Sequence, residues 1–260
     1  MLAMSLSGRS LNFSTYREEA PPSGSRADLP IDQSRDRVLE IIFPEAGKVR
    51  SRTVVSRSRH RSTGKFPSWK MGRMMQCESL PERNAFRLLD ACPAVTAYYE
   101  QPLIVRYVMD GILHTHYPDL LVEIGCRREL WEIKPFRAAI EPETAARTRL
   151  LESTLPAHGF TYHMVTAEEL AREPRLSTAI ELLKHGRRPV SETEREHTRQ
   201  LFLAASHITW AAANGGDLGP RGRAVLSRLA LEGVLVFDGE QPLTSFTKFS
   251  WCPSAEEVVQ

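Results

Sequence analysis

Apolar residues recur at helical spacing in the first third of the chain. Residues 82–91 place four apolar side chains along one face, namely Ala85, Phe86, Leu88 and Leu89. This periodicity predicts an amphipathic helix. Ser79 stands three residues before Glu82, which is the spacing of a capping box, so Ser79 is the candidate N-cap.

Shorter apolar runs bounded by turn residues follow this helix and predict strands. The strands are expected over residues 95–99, 103–109, 118–124, 130–135 and 161–165. Helices are expected over residues 142–155 and 176–185, and an earlier apolar stretch within 32–43 is interpreted as a short helix. Strands and helices in this order predict an α/β fold, in which a mixed sheet is flanked by helices.

A second pattern begins after the segment Arg187–Ser191, which has the composition of a linker. Helices are predicted over residues 192–205, 208–213 and 221–232. Gly233 has the position of a C′ glycine, and it is followed by a predicted hairpin that turns at Asp238-Gly239. Helices followed by a hairpin predict a small winged-helix-like C-terminal domain.

Composition supports a mainly globular chain with one flexible end. Hydrophobic residues make up 42% of the 260 residues and charged residues 25%. Residues 1–30 are rich in Ser, Gly, Pro and Arg and are predicted to form a flexible tail. We therefore divide the chain into this tail, a core domain over 31–186 and a C-terminal domain over 187–260.

Cysteine usage and hydropathy suggest a cytoplasmic protein. The four cysteines are far apart and form no CxxC pair, so we expect reduced thiols and no structural zinc site. The chain has no signal-peptide pattern, and no apolar run approaches the roughly 20 residues of a membrane span. We expect no membrane partner.

A one-sided charge distribution marks residues 48–73, although the net charge of the chain is only +2. This basic segment contains no Asp or Glu, and Phe66 and Trp69 lie within it. Such a composition suits a nucleic-acid phosphate backbone, and a solvated basic loop is the equally open alternative. The candidate DNA-binding residues are Arg57, Arg59, Arg61, Lys65, Lys70 and Arg73.

The two predicted strands around Gly125-Cys126 carry the candidate chemistry. If these two residues form a hairpin loop, counting outwards pairs Asp119 with Glu132. Strand alternation then places Lys134 on the same face as Glu132. The opposite face is apolar and carries Leu120, Val122, Ile124, Trp131 and Ile133. The hairpin is therefore predicted to have one polar and one apolar face.

Two carboxylates held opposite each other repel, and a divalent cation removes the conflict. Mg²⁺ prefers oxygen ligands and is often held by one or two carboxylates together with substrate phosphate. Lys134 would orient or deprotonate the attacking water, or stabilise the charge of the transition state. The alternative is an ordinary amphipathic hairpin with surface Asp, Glu and Lys. Glu82 is a further candidate carboxylate, or simply a capping-box residue.

These residues resemble a known superfamily. Pro118-Asp119 with Glu132-Ile133-Lys134 resembles the PD-(D/E)xK nucleases, which have the restriction-endonuclease-like fold. Three further features are similar to TnsA, the endonuclease subunit of heteromeric cut-and-paste transposons. They are the acidic residue at a helix start (Glu82), the sequence Glu100-Gln101-Pro102, and Pro135 after Lys134. The resemblance covers roughly residues 45–170 and, more loosely, the C-terminal part.

The resemblance implies a metal-dependent endonuclease that cleaves the 5′ strand at transposon ends. It implies Mg²⁺, with Mn²⁺ as a substitute, and a bacterial, nucleoid-associated setting. The implied partners are double-stranded transposon-end DNA, a DDE-type transposase and an AAA+ ATPase regulator. Glu82, Asp119, Glu132 and Lys134 map to the active site, the three acids as metal ligands. Glu132 stands where TnsA itself has been associated with Gln, which makes this site more like that of an ordinary nuclease.

The sequence is also compatible with other functions and residue roles. The chain is alternatively a stand-alone restriction or repair nuclease, or a DNA-binding regulator with an inert core. The helix over 221–232 carries Arg221, Arg223 and Arg228, and it is either a recognition helix in a DNA groove or a docking surface for a protein partner. His114 and His116 approach Asp119 and are interpreted as surface residues, and Gln101 is expected to hydrogen-bond near the site.

Overall fold

The computed structural model describes residues 36–45, 50–51, 64–216 and 218–252. The predicted tail over 1–30 lies outside the described residues, and so do three of the predicted DNA-binding residues, Arg57, Arg59 and Arg61.

Strands and helices alternate along the described chain. The strands are β1 (Arg37–Ile42), β2 (Gly64–Ser68), β3 (Arg73–Cys77), β4 (Val95–Glu100), β5 (Ile104–Met109), β6 (Ile112–His116), β7 (Leu120–Ile124), β8 (Arg127–Lys134), β9 (Thr161–Thr166), β10 (Ile208–Thr209), β11 (Leu235–Val236) and β12 (Lys248–Trp251). The helices are α1 (Leu80–Ala91), α2 (Phe136–Ala139), α3 (Pro142–Thr154), α4 (Ala167–Leu170), α5 (Arg175–Gly186), α6 (Glu192–Ala204), α7 (Trp210–Gly215) and α8 (Gly222–Leu231).

A four-stranded mixed sheet forms the centre of the fold, in the order β4-β7-β8-β9. Strands β4, β7 and β8 are antiparallel neighbours, whereas β8 and β9 are parallel. The parallel pair is connected through α2 and α3, since parallel strands need a long crossover. A second sheet has the order β1-β5-β6, and β2 pairs with β3 as a separate hairpin. The prediction of a mixed α/β fold with a mixed sheet flanked by helices is confirmed.

The β7–β8 hairpin has the register that its sequence predicts. Glu123 pairs with Arg128 and Leu120 pairs with Trp131 across a two-residue turn at Gly125-Cys126. Gly125 has φ +59°, a left-handed conformation that glycine adopts without the steric cost of a Cβ atom. This turn fixes the register, because a slip of one residue would move every side chain to the other face.

Both faces of the central sheet are buried, which corrects the prediction of a polar face on the hairpin. On one face, Leu120, Val122 and Ile133 join a core that includes residues of α1, α5 and α8. On the other, Leu121 and Leu130 join a second core with residues of α3, β5 and β9. The candidate acids lie on this second face, at its polar end, so their surroundings are those of a packed interior.

The C-terminal part packs against the core domain. It has the order helix α6, strand β10, helices α7 and α8, then strands β11 and β12, which form the sheet β10-β12-β11. Helix α8 lies against α5, and one hydrophobic core continues from Phe86 on α1 to Phe249 on β12. Gly186 permits this approach, because a Cβ atom there would lie 2.9 Å from the backbone nitrogen of Arg228. The two predicted domains therefore share a hydrophobic core.

Two local predictions are wrong, and one hairpin was not predicted. Residues 37–42 form strand β1, because they pair with β5, and this pairing decides the conformation of a short apolar run. Ile208–Thr209 is a short strand paired with β12, and the helix begins only after it, with Thr209 as N-cap. The basic segment contains the unpredicted β2–β3 hairpin.

None of the helices in the described part of the chain combines the length and the apolar character needed to cross a membrane.

Candidate active site

The predicted acids and lysine meet where β7 begins and β8 ends. Asp119 immediately precedes β7, and its Oδ2 accepts a 2.7 Å hydrogen bond from the backbone N–H of Ile133. This bond holds the aspartate against β8, beside Glu132. Nζ of Lys134 lies 2.9 Å from Oε1 of Glu132. The hairpin register therefore brings together three residues that are 13 and 2 positions apart in the sequence.

Burial and charge repulsion oppose the ionisation of Asp119. Burial, and then the neighbouring charge of Glu132, raise the pKa of Asp119 to about 8, against the lowering effects of the Ile133 hydrogen bond and of Lys134. Glu132 is itself only 4% exposed. A half-buried acid with a raised pKa beside a buried acid is an arrangement that active sites use to divide acid and base roles or to hold a cation.

Glu82 lies close to this pair, and its carboxylate also caps a helix. Its charge contributes to the raised pKa of Asp119. Ser79 is the N-cap of α1, and its hydroxyl accepts from the Glu82 backbone N–H. The Glu82 carboxylate accepts from the Ser79 hydroxyl at 2.7 Å and from the backbone N–H of Glu78 at 2.8 Å. Ser79 is confirmed as the N-cap. The Glu82 carboxylate accepts the backbone N–H of Glu78, whereas a capping box uses the N–H of the N-cap residue, and a catalytic role of Glu82 stays a prediction.

Two residues at the site were not among the predicted catalytic set. Nε2 of His116 lies 3.4 Å from Oε2 of Glu132, and the His116 ring is buried. The interpretation of His116 as a surface residue is therefore wrong. Burial, followed by the charges of Arg147 and Lys134, lowers the pKa of His116 to about 3, so the ring is neutral at pH 7. A hydrogen bond of 3.2 Å links its Nε2 to the hydroxyl of Tyr162 on β9.

Arg147 is the second residue, and it reaches the acids from helix α3. Its Nη2 lies 3.6 Å from Oε1 of Glu132. The hydroxyls of Tyr107 and Tyr162 interact with its guanidinium. Helix α3 has little amphipathic periodicity in its sequence, with polar residues around much of its circumference. The only sequence signal for Arg147 is therefore its place on the crossover helix directly after the Glu-x-Lys strand.

A buried ion-pair cluster holds the segment that precedes the site. Glu100, 4% exposed, accepts from Arg50 at 2.5 Å and from Arg73 at 2.6 Å. Burial alone would raise the pKa of Glu100. The hydrogen bond from Arg73 and the positive charges of Arg73 and Arg50 outweigh burial, so the pKa of Glu100 is below its usual value. The next residue, Gln101, has φ +46° and donates its backbone N–H to the Asp119 carbonyl at 2.8 Å. Gln101 thus supports Asp119 through the backbone, as expected of a residue near the site.

The described members of the predicted DNA-binding set have different surroundings. Lys65 is exposed on β2. Nζ of Lys70 donates to the backbone carbonyls of Leu89, Cys92 and Val95 at the end of α1, and burial lowers its pKa to about 8. Arg73 is engaged by Glu100. A phosphate contact by Lys70 or Arg73 would have to replace these internal contacts.

The arginines of helix α8 also have internal partners. Arg228 stacks on Trp69, with 4.1 Å from its guanidinium carbon to the ring centroid, and pairs with Glu232 at 2.5 Å. Arg223 stacks on Trp210. Because most of α8 is buried against the core domain, insertion of this helix into a DNA groove would require it to separate from α5.

The donor set at the site fits a hard divalent cation only in part. Asp119 and Glu132 supply carboxylate oxygens, and their mutual repulsion is the strain that a cation relieves. Across the described residues, no group of three or more His, Cys, Asp and Glu side chains is arranged to hold a metal ion. Mg²⁺ keeps several water ligands and needs only one or two carboxylates, so the Asp119–Glu132 pair satisfies its minimum requirement.

Comparison with models of protein families gives no match, and comparison with curated proteins gives none either.

Proposed function

We propose that the chain is a metal-dependent DNA endonuclease whose active site contains Asp119, Glu132 and Lys134. The observation that carries the proposal is the raised pKa of Asp119 beside the buried Glu132, with Lys134 at 2.9 Å on the same strand face. A carboxylate pair that repels within a packed interior costs stability, and such strain is concentrated at functional sites.

Asp119 and Glu132 would hold Mg²⁺ or Mn²⁺, and Glu82 is the nearest further carboxylate. The bound ion would lower the pKa of a water ligand and neutralise charge on the scissile phosphate. Lys134 is 39% exposed at its side chain, so its ammonium group is accessible to solvent beside the acids. In the proposed reaction this group orients the attacking water, whose oxygen forms a bond to phosphorus as one P–O bond of the DNA breaks.

We further propose that the core has the restriction-endonuclease-like fold and belongs to the TnsA-like transposon endonucleases. The mixed sheet, the acid-bearing hairpin and the helix on each face support the fold assignment. The order α6-β10-α7-α8-β11-β12, with its three-stranded sheet, supports a winged-helix-like C-terminal part. In this proposal the enzyme cleaves the 5′ strand at transposon ends, with a DDE-type transposase and an AAA+ ATPase regulator as partners.

Strand-specific cleavage tests the proposal. The full chain is incubated with end-labelled transposon-end DNA and Mg²⁺ or Mn²⁺, alone and with a candidate DDE-type partner transposase. Wild type is expected to nick the 5′ strand, and Asp119→Ala, Glu132→Gln and Lys134→Ala are each expected to lose the nick. Glu123→Gln is the matched control, since Glu123 lies on the same hairpin and pairs with Arg128 away from the site.

The alternatives give different results in the same assay. A stand-alone nuclease would cut DNA that has no transposon ends, without any transposase. An inert DNA-binding regulator would bind DNA without metal-dependent cleavage in either setting. Equal nicking by wild type and Asp119→Ala would refute the assignment of the active site.

A further inference from the structure

The guanidinium of Arg147 faces the acids with two hydrogen-bond donors unused. Its Nε and Nη2 atoms are buried and have no hydrogen-bond partner within the described part of the chain. The nearest acid oxygen is Oε1 of Glu132, 3.6 Å from Nη2, which is an ion-pair distance too long for a hydrogen bond. The Arg147 side chain is 22% exposed, whereas its Nε and Nη2 atoms are themselves buried, so a ligand would reach these two donors through a shift of the surrounding side chains.

Neutralisation of Glu132 does not account for this arginine. Nζ of Lys134 already lies 2.9 Å from the same Glu132 oxygen and supplies the opposite charge. A guanidinium presents its donors in a rigid planar fork, and the fork normally binds a carboxylate through two parallel bonds. Here the fork does not close on Glu132, because Nη2 approaches it only at 3.6 Å and neither Nη2 nor Nε has a hydrogen-bond partner.

Surrounding groups fix the guanidinium in this position. Tyr107 from β5 and Tyr162 from β9 both interact with it, and both tyrosines are buried. Arg147 therefore extends from α3 to side chains of strands β5 and β9. A buried donor that lacks a partner is rare in folded proteins, and it calls for a specific explanation such as a missing ligand.

We propose that Arg147 binds a non-bridging oxygen of the phosphate group that undergoes cleavage. This inference rests on the proposed nuclease function and adds a residue that contacts the substrate. The two unused donors are the Nε–Nη2 edge of the guanidinium, which matches the geometry of a phosphate group. Arg147 stabilises the negative charge that develops on the phosphate oxygens as the water attacks.

Three arginine variants of the full chain test this role in the cleavage assay. Arg147→Ala is expected to lower the cleavage rate by roughly 100-fold or more, the usual effect of removing one such donor. Arg147→Lys keeps the charge and loses the planar fork, so an intermediate rate is expected. Arg149→Ala is the matched control, because Arg149 is an exposed residue of the same helix, and its rate is expected to stay within about threefold of wild type.

Chemical rescue separates substrate contact from a merely structural role. Added guanidinium ion at non-denaturing concentration is expected to restore at least tenfold activity to Arg147→Ala and none to Asp119→Ala. Nicking by Arg147→Ala at the wild-type rate would refute the inference and leave the nuclease function standing. Loss of activity without rescue, together with a lowered thermal midpoint in both Arg147 variants, would show a structural role and would also refute it. Absence of cleavage by wild type, with and without the transposase, would refute both proposals.

Discussion

Asp119→Asn should stabilise the metal-free protein. The substitution removes the charge that burial and Glu132 disfavour, and the new amide oxygen can still accept the hydrogen bond from the Ile133 N–H. A shift of one pKa unit corresponds to about 1.4 kcal/mol. Burial and the charge of Glu132 raise the pKa of Asp119 to about 8, and the residue is half-buried. We therefore expect a gain in unfolding free energy of about 1–3 kcal/mol at pH 7.5, after discounting for solvent screening.

The gain should depend on pH in a defined direction. The folded-state pKa of Asp119 is raised, so the folded protein retains a proton that the unfolded chain releases. The stability that Asp119 contributes is fully present below its unfolded pKa of about 4 and is lost as the pH rises towards the folded value. The difference between Asp119→Asn and wild type should therefore be near zero at about pH 4 and should grow until about pH 8.

Thermal unfolding at pH 4.5, 6 and 7.5 in the presence of a chelator measures this difference. For a protein of this size a gain of 1 kcal/mol raises Tm by roughly 2–4 °C, so a gain of about 1–3 kcal/mol should raise the Tm of the variant by about 2–12 °C at pH 7.5. Glu123→Gln on the same hairpin is the control and should change stability by less than about 0.5 kcal/mol. A variant less stable than wild type at pH 7.5, or a gain that shrinks as the pH rises, would refute the account of repulsion between Asp119 and Glu132.

Two further predictions concern the metal and the ion-pair cluster. Mg²⁺ at 10 mM should raise the Tm of wild type because it binds only the folded state. The Tm of Asp119→Asn should be the same with and without Mg²⁺. Equal Mg²⁺-induced shifts in wild type and variant would show that the ion binds elsewhere. Glu100→Gln should lower the free energy of unfolding by about 1–3 kcal/mol in a denaturant titration, because Arg50 and Arg73 lose their buried counter-charge. An unchanged unfolding midpoint would show that this ion-pair cluster does not hold the β2–β3 hairpin to β4.

The hairpin was predictable because its information is local. A glycine in a two-residue turn sets the register, and the register alone determines that Asp119 faces Glu132. The capped start of α1 was predictable for the same reason, since Ser79 and Glu82 satisfy each other within one helical turn. In both cases the deciding contacts join residues that are neighbours in the sequence.

The errors arise where distant residues decide the structure. Val38 and its neighbours form a strand because they pair with β5, whose residues lie 62 to 71 positions further along the chain. Lys70 and Arg73 count as free positive charges in the sequence, whereas the fold gives Lys70 the carbonyl groups at the end of α1 and gives Arg73 the carboxylate of Glu100. A charge count carries no information about such partners.

At the active site, too, residues distant in the sequence determine the charge balance of the two acids. The sequence alone suggests that a metal ion must balance two facing acids. The two acids have different partners in the structure. The ion pairs of Lys134 and Arg147 both involve Glu132, and the neutral His116 ring also lies beside Glu132. Asp119 accepts a backbone hydrogen bond and keeps a raised pKa. Asp119 is therefore the acid whose ionisation would depend most on an added cation, and its titration and metal response should change together.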